Sequence, residues 1–292
     1  MPEDFIPKAG PKPGPSPRPS PSTSTSTSTS TSPSPSPDDA RTALACLDLT
    51  SLNDGDDAAA ITALVARAGG PAGLPAALCV WPRFVAQARQ ALPATVRVAA
   101  VANFPAGGTD VAAAVAEARA IMAAGADEID LVLPWRALQG ADAAAATALV
   151  LAVRKACPDH TLKLIIESAE LATPALIRQA CAIGLDAGVD FLKTSTGKTG
   201  SGATPQAARL MLQSIAEHPR GAQVGFKASG GIRAVADAVV YIDLVREILG
   251  PSALTPQRLR FGASGLLGDI ETVLAGTGTD TVAGNTAAPD SY

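Results

Sequence analysis

Two stretches of the chain carry residues whose types and spacing suit covalent chemistry. Asp190-Phe-Leu-Lys-Thr-Ser-Thr-Gly-Lys198 and Val224-Gly-Phe-Lys-Ala-Ser-Gly-Gly231 each set a lysine in a short apolar run that breaks into a glycine-containing turn. A buried strand ending in an anion-binding loop has this pattern. Burial and a second ammonium nearby both favour the neutral amine, the form that attacks a carbonyl to make an imine. Lys193 and Lys227 therefore form a candidate pair of nucleophile and activating cation, and charge alone leaves open which is which. Asp130, in Glu-Ile-Asp-Leu-Val-Leu, is a carboxylate in a third apolar run. Buried, it requires a cationic partner. Beside a lysine and a water it can relay protons; a structural salt bridge is the alternative.

Lysine usage sharpens the point. The chain has 16 arginines and only seven lysines, at 8, 12, 155, 163, 193, 198 and 227. Arginine does not form an imine, whereas lysine does. Four of the five lysines beyond the N-terminal segment lie in or at the ends of apolar runs, positions suited to chemistry or phosphate binding.

The elements that must position these groups follow from hydrophobic runs. Strands are expected at 44–49, 77–81, 96–103, 128–133, 162–168, 191–196, 224–228 and 259–263. Helix-like stretches between them include 111–124, 143–155, 173–187 and 205–217. Eight strands alternating with helices over roughly 230 residues match a (β/α)8 (TIM) barrel, an α/β fold of ~250 residues. A doubly wound open sheet competes, but a Gly-x-Gly-x-x-Gly fingerprint does not follow the first strand. In a barrel the strand C-terminal ends form the active face. Those ends present Asp48, Thr50, Cys79, Asn103, Asp130, Arg136, Lys163, Glu167, Lys193 and Lys227. Glycine loops at 196–198, 229–231 and 262–264 supply backbone N–H groups for a phosphate. The chemistry reached is an imine-forming lyase acting on a small phosphorylated carbonyl compound.

Composition bounds the rest. A net charge of −4 argues against nucleic acid and anionic membranes. No apolar run approaches the roughly 18 residues of a membrane span. The four cysteines lack CxxC spacing and read as reduced thiols in a cytoplasmic protein. The only two histidines leave little material for a histidine metal site or a Ser-His-Asp triad. Residues 1–38, rich in proline, serine and threonine, are expected to be a disordered extension; 39–275 the barrel; and 276–292 a flexible tail.

Beyond these arguments, the motifs resemble deoxyribose-phosphate aldolase. They are Leu47-Asp-Leu-Thr50, Leu78-Cys-Val-Trp-Pro-Arg-Phe84, Val101-Ala-Asn-Phe-Pro105, Asp127-Glu-Ile-Asp-Leu-Val-Leu-Pro134, Phe191-Leu-Lys-Thr-Ser-Thr-Gly-Lys198, Gly225-Phe-Lys227 and Arg260-Phe-Gly-Ala-Ser264. The resemblance runs from about Arg41 to Leu267. It implies a class I aldolase, without metal or cofactor, that interconverts 2-deoxy-D-ribose 5-phosphate with acetaldehyde and D-glyceraldehyde 3-phosphate. It implies that Lys193 is the Schiff-base lysine, that Lys227 depresses its pKa, and that Asp130 works with Lys227 in proton transfer. Gly197, Lys198, Gly230, Gly231, Gly262 and Ser264 would hold the phosphate. Thr50, Thr196 and Asp48 would meet the sugar hydroxyls, and Lys163 would join the polar network beneath. Three departures mark the resemblance: Ala228-Ser229 where some members have Pro-Ala, Gly265 where some have a second serine, and the Pro/Ser/Thr extension, which it does not cover. The terminal Tyr292 matches family members whose last tyrosine folds back to move the acetaldehyde-derived proton. A tail of about 18 residues spans roughly 21–25 Å, against ~16 Å from the foot of the last helix to the mouth; a frayed terminus is the alternative. A homodimer is the working expectation for assembly. Rival readings are another Schiff-base sugar-phosphate lyase and a non-catalytic sugar-phosphate binder, the latter disfavoured by the complete Lys193–Lys227–Asp130 set.

Overall fold

The computed structural model describes Gly10 and residues 35–276. Its elements are α1 (Pro37–Ala45), β1 (Leu47–Thr50), α2 (Ala58–Ala68), β2 (Ala77–Val80), α3 (Val85–Ala91), β3 (Arg97–Ala102), α4 (Val111–Ala123), β4 (Glu128–Val132), α5 (Trp135–Gln139), α6 (Ala143–Ala156), β5 (Thr161–Ile165), α7 (Ser168–Leu171), α8 (Pro174–Ala187), β6 (Phe191–Lys193), α9 (Pro205–Glu217), β7 (Gly225–Ser229), α10 (Val235–Ile248), β8 (Leu259–Ala263) and α11 (Leu266–Leu274). The eight strands pair in sequence order, all parallel, and β1 closes on β8. This is a TIM barrel.

Local chemistry explains the boundaries. Asp57, Asp110, Asp142, Thr173 and Thr204 each accept a backbone N–H of the first turn of α2, α4, α6, α8 and α9. These caps satisfy donors that would otherwise be orphaned. Pro174 and Pro205 open α8 and α9, where a missing N–H is harmless. Outward strand residues such as Leu47, Leu49, Leu164 and Leu192 join the helices' apolar faces in the main core. Inward residues alternate with them. Among the described residues no helix is long and apolar enough to cross a membrane.

The first expected strand is corrected. Leu44 and Ala45 belong to α1, and β1 begins at Leu47. The helix starts at Pro37, two residues before the composition changes. Its N-cap is Ser36, whose hydroxyl accepts from the Asp39 N–H while the Asp39 carboxylate accepts from Ser36. This capping box overrides the apolar run that suggested a strand. β5 and β6 end three residues earlier than expected. Glu167 turns left-handed (φ 53°) after β5, and the segment after Lys193 bends into its loop. Of the extension expected to be disordered at 1–38, Pro37 and Asp38 belong to α1, and all but Gly10 and 35–38 lie outside the described residues, as do the expected tail beyond Gly276 and the role of Tyr292.

Candidate active site

β4 to β7 are neighbours, and register decides what meets. Asp130 pairs with Lys163 across β4–β5, and Lys193 with Lys227 across β6–β7. All four side chains are buried inside the barrel. The Lys193 Nζ and the Lys227 Nζ each donate to Asp130 Oδ2 at 2.8 Å, and the Lys163 Nζ donates to Oδ1 at 2.8 Å. One carboxylate thus holds three amines.

A second tier lies beneath. The Lys163 Nζ also contacts Glu128 at 2.5 Å and Asp48 at 3.3 Å. Lys227 reaches Asp48 Oδ2 at 2.5 Å. Arg260 bridges Asp48 at 2.6 Å and Glu128 at 2.8 Å. The set therefore offers four basic side chains against three carboxylates. Glu167, also buried, adds a further carboxylate within electrostatic reach of Lys193. Lys163 touches three carboxylates and Lys227 two. Lys193 touches one, and shares it. Of the three amines, Lys193 has the fewest carboxylate contacts.

The electrostatics fix Asp130, Asp48 and Lys163 in their charged forms. Burial alone would raise Asp130, but Lys163, Lys193 and Lys227 together hold its carboxyl well below the usual range. Asp48 behaves likewise: burial opposes ionisation, and Lys163, Lys227 and Arg260 overcome it. Lys163 is raised well above an ordinary lysine, since Asp130, Asp48 and Glu128 outweigh its burial. Asp130 and Asp48 are therefore fixed anions and Lys163 a fixed cation.

The sequence-expected residues converge on one end. Thr50, Thr196, Gly197, Lys198, Gly230, Gly231, Gly262 and Ser264 lie at or just beyond the C-terminal ends of β1, β6, β7 and β8. The Thr50 hydroxyl donates to the Asp48 carbonyl at 2.7 Å. Asp48 itself has both carboxylate oxygens engaged by cations, so it sits in the ionic tier and not free at the mouth. The Thr196 N–H donates to both Glu167 oxygens at 3.2 Å, and the Lys198 N–H donates to Thr196 Oγ1 at 3.1 Å. The Lys198 Nζ lies 3.4 Å from the exposed Asp54 on the β1 loop, a weak pair that an incoming anion can displace. Gly230 and Gly231 both take left-handed φ, 83° and 81°, as their turn requires.

Two groups gained significance only from the fold, and a third, Glu167, gained its partners there. Glu128 and Arg260 form the lower tier, and their signal in sequence was a charge inside an apolar run two residues from Asp130 and Gly262. Glu167 sits buried in a left-handed backbone against the Thr196 loop. Burial raises its carboxyl, opposed by hydrogen bonds from Thr196. Asn103 and Arg136, by contrast, tie loops together: Asn103 donates to the Gly108 and Val132 carbonyls, and Arg136 to that of Ala106.

The profile of the DeoC/LacD family aldolases matches residues 42–249. The chain belongs to the DeoC/LacD aldolase family. It is 48% identical over 240 residues to the deoxyribose-phosphate aldolase of Agrobacterium fabrum, covering 81% of this chain and 92% of that one. A candidate deoxyribose-phosphate aldolase from Coccidioides immitis superposes with a TM-score of 0.69 at 30% identity, over 80% of this chain and 87% of that chain. The deoxyribose phosphate aldolase of Aeropyrum pernix, at 24% identity and a TM-score of 0.62 over 81% and 92% of the two chains, shares the fold. For a DeoC/LacD aldolase the buried lysine set is the natural place for the chemistry. A cavity of about 450 Å³ opens instead at the opposite end of the barrel, between Arg97, Asp127, Glu128, Phe191 and Arg260. It touches the ionic tier only from below, and the lysine-bearing ends of β6 and β7 lie on the other side.

Proposed function

We propose that this protein is a deoxyribose-phosphate aldolase, cleaving 2-deoxy-D-ribose 5-phosphate reversibly to acetaldehyde and D-glyceraldehyde 3-phosphate through an imine on Lys193. The observation that carries the reading is the single Asp130 oxygen shared by Lys193 and Lys227 inside the barrel.

The neutral Lys193 amine attacks the C1 aldehyde of the open-chain sugar, and loss of water leaves an iminium. Removal of the C3 hydroxyl proton lets the C2–C3 bond electrons flow into the iminium, releasing glyceraldehyde 3-phosphate and leaving an enamine. Protonation at C2 and addition of water free acetaldehyde and regenerate the amine. The water lost at the first step is recovered at the last. Lys227, held in place by the ionised Asp130, moves protons by way of water. Lys163 holds the other Asp130 oxygen, so that the carboxylate does not rotate away. Thr50 and Thr196 meet the sugar. Gly197, Lys198, Gly230, Gly231, Gly262 and Ser264 receive the phosphate, their backbone donors serving as an anion cradle. Cytoplasmic residence, a homodimer and a proton-transfer role for Tyr292 complete the reading. A chain lacking Tyr292 should exchange protons into acetaldehyde more slowly than the full chain.

The deciding experiment is borohydride trapping. With 2-deoxyribose 5-phosphate the protein should gain a covalent label on Lys193, and Lys193→Ala should lose both the label and at least about four orders of magnitude of turnover. A label that survives Lys193→Ala overturns the assignment of the nucleophile.

A further inference from the structure

Among the described residues, five buried side-chain polar atoms have no hydrogen-bond partner: Trp135 Nε1, Ser168 Oγ, Ser195 Oγ, Thr199 Oγ1 and Ser229 Oγ. Four of them lie on or just after β5, β6 and β7, at the end of the barrel where the substrate would enter. Buried hydroxyls are ordinarily paired, and an unpaired one costs stability. Ser229 is the one whose direction the structure defines most fully. It is also half of the Ala228-Ser229 departure that the mechanism leaves unused.

Everything about Ser229 except its hydroxyl is already satisfied. Its N–H donates to Thr194 Oγ1 at 3.0 Å, and its carbonyl accepts from the Ala203 N–H at 2.9 Å and from the Thr194 hydroxyl at 3.2 Å. Thr194 thus rivets β6 to β7 at this point, and the residue is fully buried. Ser229 stands two positions after Lys227 on the same strand, so both side chains face inward and the serine lies one step nearer the mouth. Its register partner on β8 is Gly262. A Cβ at Gly262 would stand 2.3 Å from Ser229 Oγ and 3.1 Å from Lys227 Cε. The hydroxyl therefore occupies the space over the Gly262 backbone, and glycine is required there to admit it. The next two residues are the left-handed Gly230 and Gly231, and no backbone acceptor takes their N–H groups among the described residues.

We infer that the Ser229 hydroxyl is a specificity-determining donor to the phosphate end of the substrate. It is held rigidly between the Gly230-Gly231 turn and Gly262, one layer above Lys227. A phosphate oxygen there gives the hydroxyl the partner that the protein does not supply. A hydroxyl that meets the phosphate acts on the group that distinguishes 2-deoxyribose 5-phosphate from the free sugar. This rests on the aldolase reading above for the identity of the substrate.

The test is Ser229→Ala in the full chain. With 2-deoxyribose 5-phosphate, KM should rise about tenfold or more, as for loss of a hydrogen bond to a charged group, with kcat changed less than about twofold. With unphosphorylated 2-deoxyribose, kcat/KM should stay the same. Inorganic phosphate, measured by calorimetry without turnover, should bind about tenfold more weakly to the variant. The denaturation midpoint should be unchanged or higher, because the substitution removes an unpaired buried hydroxyl. Equal losses on both sugars, unaltered phosphate binding, or a lower midpoint would each overturn the inference. The phosphate measurement decides it even if the wild-type protein fails to cleave the sugar phosphate, and that failure would count against the aldolase reading alone.

Discussion

The barrel interior under β2 and β3 holds Cys79, Ala99 and Val101, closed by Leu52 and flanked by Trp81 and Phe104. The interior under β1 and β4 to β8 holds Lys163, Lys193, Lys227, Arg260, Asp48, Glu128 and Asp130. Both sectors are equally dry and lie on the same closed sheet. The apolar sector makes no demand for partners and contributes burial. In the ionic sector every charge loses its hydration and is tolerable only while its neighbours are present. Such a cluster is a poor way to gain stability, and it sets two amines against one carboxylate oxygen. The two sectors also communicate: burial raises the Cys79 thiol, and the Asp130 charge across the interior raises it further.

The contrast can be broken most forcefully at Lys227. Lys227→Leu removes the cation that shares Asp130 Oδ2 with Lys193. Turnover at pH 7 should fall by about 10²–10⁴-fold, and the residual rate should climb as pH is raised. Near-normal turnover at pH 7 would remove the charge argument. A comparison of the two sectors by unfolding is the next largest test. Lys163→Met strips Glu128, Asp48 and Asp130 of a shared cation and should cost about 3–5 kcal/mol in urea denaturation. Val101→Ala, in the apolar sector, should cost about 1–3 kcal/mol and leave kcat within about twofold. If Val101→Ala alters catalysis as strongly as Lys163→Met, the division of labour is wrong.

The smallest effect is on the pH profile of stability. Asp48 and Asp130 are held below their unfolded values, so their contribution is complete above about pH 4 and is lost as pH falls through their folded values. Lys163 is held above its unfolded value, so its contribution is complete below about pH 10 and is lost as pH rises further. Denaturation midpoints should therefore show a plateau with shoulders at both ends. Lys163→Met should erase its own contribution to the alkaline shoulder. An alkaline limb identical in the two proteins would show that the network does not hold Lys163 as described.

Much of this was legible before folding. Short apolar runs located all eight strands, and the helix-like stretch at 205–217 coincides with α9, which Thr204 caps and Pro205 opens. The strand–helix confusion at Leu44 arose because an apolar run of six residues suits either element. Only the Ser36–Asp39 capping box decides it. Lys193, Lys227 and Asp130 stood out as charges in apolar surroundings. Glu128 and Arg260 carried the same signal, but each needs a partner from a distant strand before it means anything.

The sequence by itself determined the alternation of strands and helices, the three charged positions that cannot be solvated, and the glycine turns that follow them. These depend on local spacing, which a single chain records directly. Only the closed barrel decided that one Asp130 oxygen serves two lysines, that four basic groups face three carboxylates, and that Ser229 points its unpaired hydroxyl over Gly262. Those facts depend on register between strands far apart in the chain. Register is set when β1 meets β8 and the interior charges must all find partners at once.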